Sequence, residues 1–315
     1  MNTIVLKTEG LTKRYGALTA VKNLTLEVHA GEVFGFLGPN GAGKTTSINM
    51  ICGLLKPDAG RVLLHGTPVH NGDGADRSRL GMCPQSIVLW ERLTCIEQLE
   101  FVGAMYGVPA AEARRRGERL LAELDLTDKR SQQARKLSGG MQRRLNLAMA
   151  LVHDPELVVL DEPEAGLDPQ SRVKVREYIQ SLARKKTVIL TTHNMDEAER
   201  VADRVAIIDH GELLVLDTPE RLKQRVGEGD VLEIGLLSPA ADAQLPRRAL
   251  AALAGDVTLD ASAHSLRVRA LDAVGKLPAV LDALRAAGLQ PGEVRVRPNT
   301  LEDVFIQLTG RRLRE

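Results

Sequence analysis

Residues Gly38-Pro39-Asn40-Gly41-Ala42-Gly43-Lys44-Thr45-Thr46 constrain this chain more than any other stretch. An apolar run, Val33-Phe34-Gly35-Phe36-Leu37, leads into them, and a helical pattern continues toward Gly53. The spacing G-x-x-x-x-G-K-[ST] between a strand and a helix lets backbone N–H groups converge on phosphate oxygens. Its glycines allow the chain to curl without Cβ clashes, and the helix start adds the positive end of its dipole. In such a loop Lys44 supplies a mobile cation for the β- and γ-phosphates, and the Thr45 hydroxyl is a ligand for Mg²⁺.

The surrounding pattern is α/β. Short apolar runs at Leu157–Leu160, Thr187–Leu190 and Val205–Ile208 alternate with helical stretches. Strands apolar on both faces and separated by helices indicate a parallel sheet buried between helices. Residues 4 to 30 instead alternate apolar and polar positions, as in Leu24-Thr25-Leu26-Glu27-Val28, which reads as an antiparallel pair with one solvated face. From Leu93 to Asp154 the pattern is mainly helical. There Arg114-Arg115-Arg116 stands between Glu112 and Glu118 and reads as a solvated helix face.

A polar, glycine-containing junction, Gly227-Glu228-Gly229-Asp230, opens a second unit. Its strand-like pieces are Val231–Ile234, Leu266–Arg269 and Val294–Val296, with a helical pattern over Leu277 to Leu289. Thr300 and Asp303 form a capping pair before a last helix. The expected division is residues 1–226, with a helical subdomain at about 86–154, and a small α+β domain over 227–315.

Composition narrows the class. The chain has 315 residues, 43% hydrophobic and 26% charged, with a formal net charge of +1. That balance argues against disorder and gives no global pull toward nucleic acid. Cys52, Cys83 and Cys95 form no CxxC pair, which fits reduced thiols and neither a disulfide framework nor a zinc site. No run approaches the roughly 18 apolar residues needed to cross a bilayer. Met1-Asn2-Thr3-Ile4 lacks the basic region and long apolar run of a signal peptide. Any service to a membrane is therefore expected from the cytoplasmic side, through a partner.

Two further stretches carry chemistry. Leu157-Val158-Val159-Leu160-Asp161-Glu162 is a buried strand ending in adjacent carboxylates. Successive strand residues face opposite ways, so the two acids must do different jobs. Asp161 is placed to hold Mg²⁺, and Glu162 to accept a proton from an attacking water. Leu137-Ser138-Gly139-Gly140-Met141-Gln142 precedes a helix from Arg143 to Val152, with Ser138 at the N-cap position. It is a second anion-ready helix start in a chain that already has one at Thr45, which hints at two chains sharing each nucleotide.

In this order, the residues resemble an ABC-family ATPase. Gly38–Thr46 matches its Walker A element and Leu157–Glu162 its Walker B. Leu137–Gln142 matches its signature, with Met141 where many members place a variable residue before Gln142. Tyr15, in Lys13-Arg14-Tyr15-Gly16, resembles the aromatic that stacks on adenine. Gln85 resembles the Q-loop glutamine that senses Mg²⁺ and the membrane partner. Gly166-Leu167-Asp168 resembles the D-loop, and His193 after Thr191-Thr192 the switch histidine. The resemblance spans about residues 4 to 225. It implies a P-loop NTPase fold of the ABC type, with an antiparallel β subdomain and a helical subdomain, followed here by the small C-terminal α+β domain.

It also implies ATP and Mg²⁺ as cofactors, with Glu162, His193 and Lys44 catalytic and Thr45, Gln85 and Asp161 at the metal. Two subunits would close head to tail, so that Ser138, Gly139 and Gly140 of one, with Asp168 nearby, face the nucleotide held by Lys44 of the other. One departure stands out. After Pro163 the family usually has a small polar residue, often threonine, and this chain has Glu164. The expectation is an acid that either weakens nucleotide binding slightly or points to solvent.

A single cassette without a long heptad stretch favours a transporter subunit. Leu93–Leu99 with Phe101 and Met105-Tyr106-Gly107 resembles the exporter type, in which this region receives the permease's coupling helix. Asn299–Phe305 and Leu308-Thr309-Gly310-Arg311-Arg312 resemble the C-terminal end of ATP-binding subunits in bacterial drug, antibiotic and polysaccharide or lipo-oligosaccharide exporters. The resulting expectation is a homodimer of ATP-binding subunits, peripheral to the cytoplasmic face of the inner membrane, serving separate transmembrane permease subunits and no nucleic acid. On this reading the C-terminal domain is regulatory or a dimerisation module. The alternative is a soluble ABC ATPase acting on nucleic acid or ribosomes.

Overall fold

The computed structural model describes residues 3–69, 78–225, 229–242, 244–253, 256–259 and 264–310. Met1, Asn2, Gly227, Glu228, Arg311 and Arg312, used in the sequence reading, lie outside the described residues. The chain packs as two compact units, one running through Pro219 and the other starting at Glu220.

The first unit opens on the expected antiparallel pair, β1 (Ile4–Tyr15) and β2 (Leu18–His29), joined by a turn in which Gly16 takes φ 59°. With β4 (Ala59–Leu64) and β5 (Thr67–Pro68) they form a four-stranded sheet, ordered β2-β1-β4-β5. Its inner positions, among them Leu6, Leu11, Leu24 and Leu26, are buried in one core with Phe34, Phe36, Ile48 and Val159. Alternation along β1 and β2 thus places one face on the second sheet and its phosphate-loop helix.

That second sheet holds the apolar runs: β3 (Val33–Leu37), β6 (Leu80–Cys83), β7 (Leu157–Asp161), β8 (Thr187–Thr192), β9 (Arg204–Asp209) and β10 (Glu212–Asp217). Their order is β10-β9-β3-β8-β7-β6, parallel except for the edge strand β10. Every residue of β3, β7 and β8 is buried, as expected of strands covered on both faces. In such sheets ligands bind beyond the carboxyl ends of the strands. Here those ends deliver Gly38, Gln85, Glu162 and His193.

Among the described residues, α1 (Lys44–Ile51), α4 (Gly139–Leu151), α5 (Pro169–Leu182) and α6 (Met195–Val201) follow the parallel strands or precede them. Two more, α2 (Cys95–Met105) and α3 (Ala110–Glu123), build the helical part between β6 and β7. Thr94 and Glu97 cap α2 reciprocally, satisfying two otherwise orphan N–H groups. Gly103 lets α2 lie against Ala113 of α3, where a Cβ would collide with the alanine methyl. The arginine triplet is a charged helix face: Arg114 pairs with Glu100 and Glu118, and Arg115 and Arg116 with Glu112.

The second unit takes in α7 (Pro219–Arg225) from its second residue, Glu220, onward. Its sheet, ordered β12-β13-β11-β14, comprises β11 (Asp230–Leu236), β12 (Asp256–Leu259), β13 (Ser265–Ala270) and β14 (Pro291–Arg297), all antiparallel. One face packs Leu232, Ile234, Leu266 and Val268 against Leu250 of α8 (Leu245–Leu250) and Val280 and Leu284 of α9 (Ala273–Ala286). The last helix, α10 (Leu301–Thr309), starts on the expected Thr300–Asp303 capping box. Asp303 also accepts two bonds from Arg297, at 2.6 and 2.9 Å, which ties the helix start to β14.

Candidate nucleotide site

Gly43 shows why the loop needs glycine. It takes φ 99° immediately before α1, and a Cβ there would run into the Ala20 carbonyl oxygen. The tight loop turns the Lys44 side chain back, so that its ammonium donates to the carbonyls of Gly38 (2.7 Å) and Pro39 (3.0 Å). Lys44 is only 6% exposed. Burial pushes its pKa down, and the carboxylates of Glu162 and Asp161 oppose that shift.

At the end of β7 the two acids part, because Asp161 is the last strand residue and Glu162 already leaves the strand in a turned backbone. Asp161 is buried and accepts a hydrogen bond from the Thr191 hydroxyl. Glu162 is 8% exposed and points into a cluster drawn from three strand ends. Its Oε2 accepts from the Gln85 amide at 3.1 Å, its Oε1 lies 3.1 Å from His193 Nδ1, and Oε1 is 3.8 Å from the Lys44 ammonium. Its backbone stands at φ 45°, a left-handed conformation uncommon outside glycine. The Glu162 N–H donates to both the hydroxyl (2.9 Å) and the carbonyl (3.2 Å) of Thr191 on the neighbouring strand.

Lys44, Gln85, Asp161, Glu162 and His193 are therefore gathered in one place. Thr191, read in the sequence only as the residue before Thr192 and His193, proves to hold both acids. Among the described residues, the contacts of other candidates go elsewhere. Ser138 caps α4 by accepting from Met141 N–H, and Asp168 caps α5 by accepting from Ser171 N–H. The bonds from Ser171 hold the Asp168 carboxyl below its ordinary range. Gly140 packs on the start of α5 within this chain, for a Cβ on Gly140 would strike the Ser171 side chain and come within 3.5 Å of the Asp168 carboxylate. Tyr15 is half exposed, with the Lys13 ammonium 5.8 Å from its ring centre. Thr45, Asn40 and Gly41 lie on the exposed side of the loop, where a phosphate chain would approach.

Glu164 corrects the sequence expectation. It neither faces solvent nor joins the Lys44–Glu162 cluster. It is 4% exposed, and both its oxygens bind Arg176 of α5, at 2.7 and 3.2 Å. The three cysteines are free and buried, and burial pushes each thiol up, Cys95 to about 11. Among the described residues no helix is long and apolar enough to cross a membrane.

A sequence profile of the ABC transporter family matches residues 21–165. The chain is 41% identical to Nod factor export ATP-binding protein I of Ralstonia nicotianae, covering 100% of this chain and 96% of that one. It is 40% identical to a daunorubicin resistance ATP-binding protein of Streptomyces coeruleorubidus, with 98% and 97% covered. With the linearmycin resistance ATP-binding protein of Bacillus subtilis the identity is 36%, over 99% and 100%. Among solved structures, an ATP-binding subunit of an ABC transporter superposes with a TM-score of 0.65 at 31% identity, covering 70% of this chain and 92% of that one. A dimeric ATP-binding cassette in a post-hydrolysis state with ADP and phosphate gives 0.62 at 27% identity, with 68% and 98% covered. The phosphate loop, the paired strand-end acids and these similarities together establish that the chain belongs to the ATP-binding proteins of the ABC transporter family.

Proposed function

We propose that this chain is the ATP-hydrolysing subunit of an ABC exporter, working as a head-to-tail homodimer against separate permease subunits at the cytoplasmic face of the bacterial inner membrane. The convergence of Lys44, Gln85 and His193 on the Glu162 carboxylate carries the reading. Lys44 binds the terminal phosphates, and Glu162 acts as general base on the water that attacks the γ-phosphorus. The water's proton goes to Glu162 as the bond from the γ-phosphorus to the ADP oxygen breaks. Gln85 and His193 each contact one carboxylate oxygen and so fix the orientation of the group.

Thr45, Gln85 and Asp161 offer hydroxyl, amide and carboxylate oxygens, a hard donor set that fits Mg²⁺. Bound with ATP, that ion would neutralise phosphate charge. Ser138, Gly139 and Gly140 would meet the nucleotide held by the other subunit, a reading supported by the dimeric cassette among the structural neighbours. Closure would then depend on ATP, because only the closed pair binds it from both sides.

The exporter reading is supported by the relatives' names and by a group of exposed apolar side chains. Ile87, Val88, Trp90, Phe101, Met105 and Tyr106 are all exposed between Gln85 and the end of α2. Trp90 and Phe101 meet edge to face, with ring centres 4.9 Å apart. Clustered exposed apolar surface marks an interaction site, and its place after Gln85 suits a coupling segment of the permease. The matched relatives also extend across the second unit, which we take as a regulatory or dimerisation domain of the same subunit.

Glu162→Gln tests the assignment. ATP affinity should persist while hydrolysis drops about a thousandfold, and a stable dimer should form with ATP on size exclusion. Unchanged turnover would remove Glu162 as the base.

A further inference from the structure

Arg143 lies on α4, in the first turn after the Ser138–Gly140 start, and is 2% exposed. A buried guanidinium is costly unless its donors are satisfied, and this one is satisfied in an unusual way. All five of its N–H groups meet main-chain carbonyls. Nη1 donates to Pro84 (2.6 Å) and Gln85 (2.9 Å). Nη2 donates to Asp161 (2.8 Å) and Glu162 (2.7 Å), and Nε to Pro163 (3.1 Å).

These acceptors belong to two segments far apart in sequence. One carries Gln85 and the other Asp161 and Glu162. The two are adjacent because β6 and β7 pair in parallel, with Cys83 opposite Leu160. Arg143 closes the gap just beyond the last paired residues, where the sheet no longer holds the strands together. It also completes the grip on Glu162. Thr191 binds the N–H of that residue from one side, and Arg143 binds its carbonyl from the other. With both peptide groups held, the left-handed φ of 45° is imposed by the surroundings. The rigid, planar fork of arginine suits several carbonyls in fixed directions, and the single ammonium of lysine does not.

We propose that Arg143 is a positioning residue for hydrolysis: from the signature helix it fixes Glu162 and Gln85 relative to each other, so that the seating of Ser138–Gly140 bears on the base in the same chain. This rests on the reading of Glu162 as the base. Arg143 touches no substrate in this scheme; it acts through the backbone of residues that do.

The test uses the full chain in Arg143→Lys, Arg143→Gln and Arg143→Ala forms. Single-turnover hydrolysis and ATP affinity are measured separately, with thermal melting as the check on folding. Turnover should fall about a hundredfold in all three, while ATP affinity stays within about threefold of the parent chain. Millimolar methylguanidinium should restore part of the turnover of Arg143→Ala and none of that of Glu162→Gln. Should Arg143→Ala not fold, Arg143→Lys and Arg143→Gln carry the same affinity-against-turnover comparison. Turnover within about threefold of the parent, or turnover and ATP affinity falling together without rescue, would overturn the proposal. Glu162→Gln run alongside separates the two readings. If it still hydrolyses, the base assignment fails first; if it is inactive while the Arg143 variants are active, only the positioning role fails.

Discussion

Replacing Arg176 with methionine should destabilise the first unit by about 3 kcal/mol, because it leaves the Glu164 carboxylate buried without a partner. Glu164 is 4% exposed and gives each oxygen to one guanidinium N–H, while that guanidinium is 17% exposed. The same contact raises the Arg176 pKa, chiefly through the Glu164 hydrogen bond. Breaking a buried pair from one side costs about 3–5 kcal/mol, and partial exposure of the arginine puts this pair at the lower end. For a unit of this size each kcal/mol moves the melting temperature by about 2–4 °C, so Arg176→Met should lower it by about 6–12 °C. Thermal unfolding followed by circular dichroism would measure this. The decisive variant is the double one, Glu164→Thr with Arg176→Met, which removes the stranded charge along with its partner. It should recover to within about 1 kcal/mol of the parent chain. If Arg176→Met alone costs no more than about 0.5 kcal/mol, the size of a surface change, the pair is not buried in the sense argued. A double variant as unstable as the single would equally refute the reasoning, because the loss would then come from packing and not from charge.

Lys44→Ala should weaken ATP binding at least tenfold, since its ammonium is the side-chain cation assigned to the terminal phosphates; equilibrium binding of a fluorescent ATP analogue would show it. The second unit should lose stability in acid. Burial alone would raise the Asp303 pKa, but hydrogen bonds from Arg297 and Thr300 hold it below the ordinary value of 3.8. The native carboxylate therefore binds its proton less readily than the unfolded one, so its stabilisation is complete above pH 3.8 and drains away as pH falls through the depressed value. Urea unfolding of Asp303→Asn should show a loss of about 2 kcal/mol at pH 7 and a flatter acid limb than the parent chain.

Much of this was legible because the chemistry is contiguous. The loop from Gly38 to Thr46, the acids Asp161 and Glu162, and the capping pair Thr300 and Asp303 each announce themselves within a few residues. The buried strands were equally plain, since β3, β7 and β8 carry unbroken apolar runs. What the sequence hid depends on topology. Arg143 reads as one of two arginines on a helix until β6 and β7 bring Pro84, Gln85 and Glu162 to its fork. Glu164 looked like an extra charge beside the nucleotide because nothing local names Arg176 as its partner. Thr191 gave no sign of its role either, as only parallel pairing sets it beside Asp161.

That pairing has a consequence for how such a chain can change length. Asp161 faces Thr191 across β7 and β8, and Leu37 faces Thr192 across β3 and β8, so the sheet register measures out the distances among the Gly38–Thr46 loop, the Glu162 carboxylate and His193. The later part of the crossover between β7 and β8, beyond the contact of Arg176 with Glu164, contributes no part of that measure. Insertions at its surface turns should pass unnoticed by the site, while one residue gained or lost between Thr191 and His193 would turn the histidine away from Glu162. Lineages of this chain should therefore drift in length along the crossovers and stay fixed in count over those few strand-end positions.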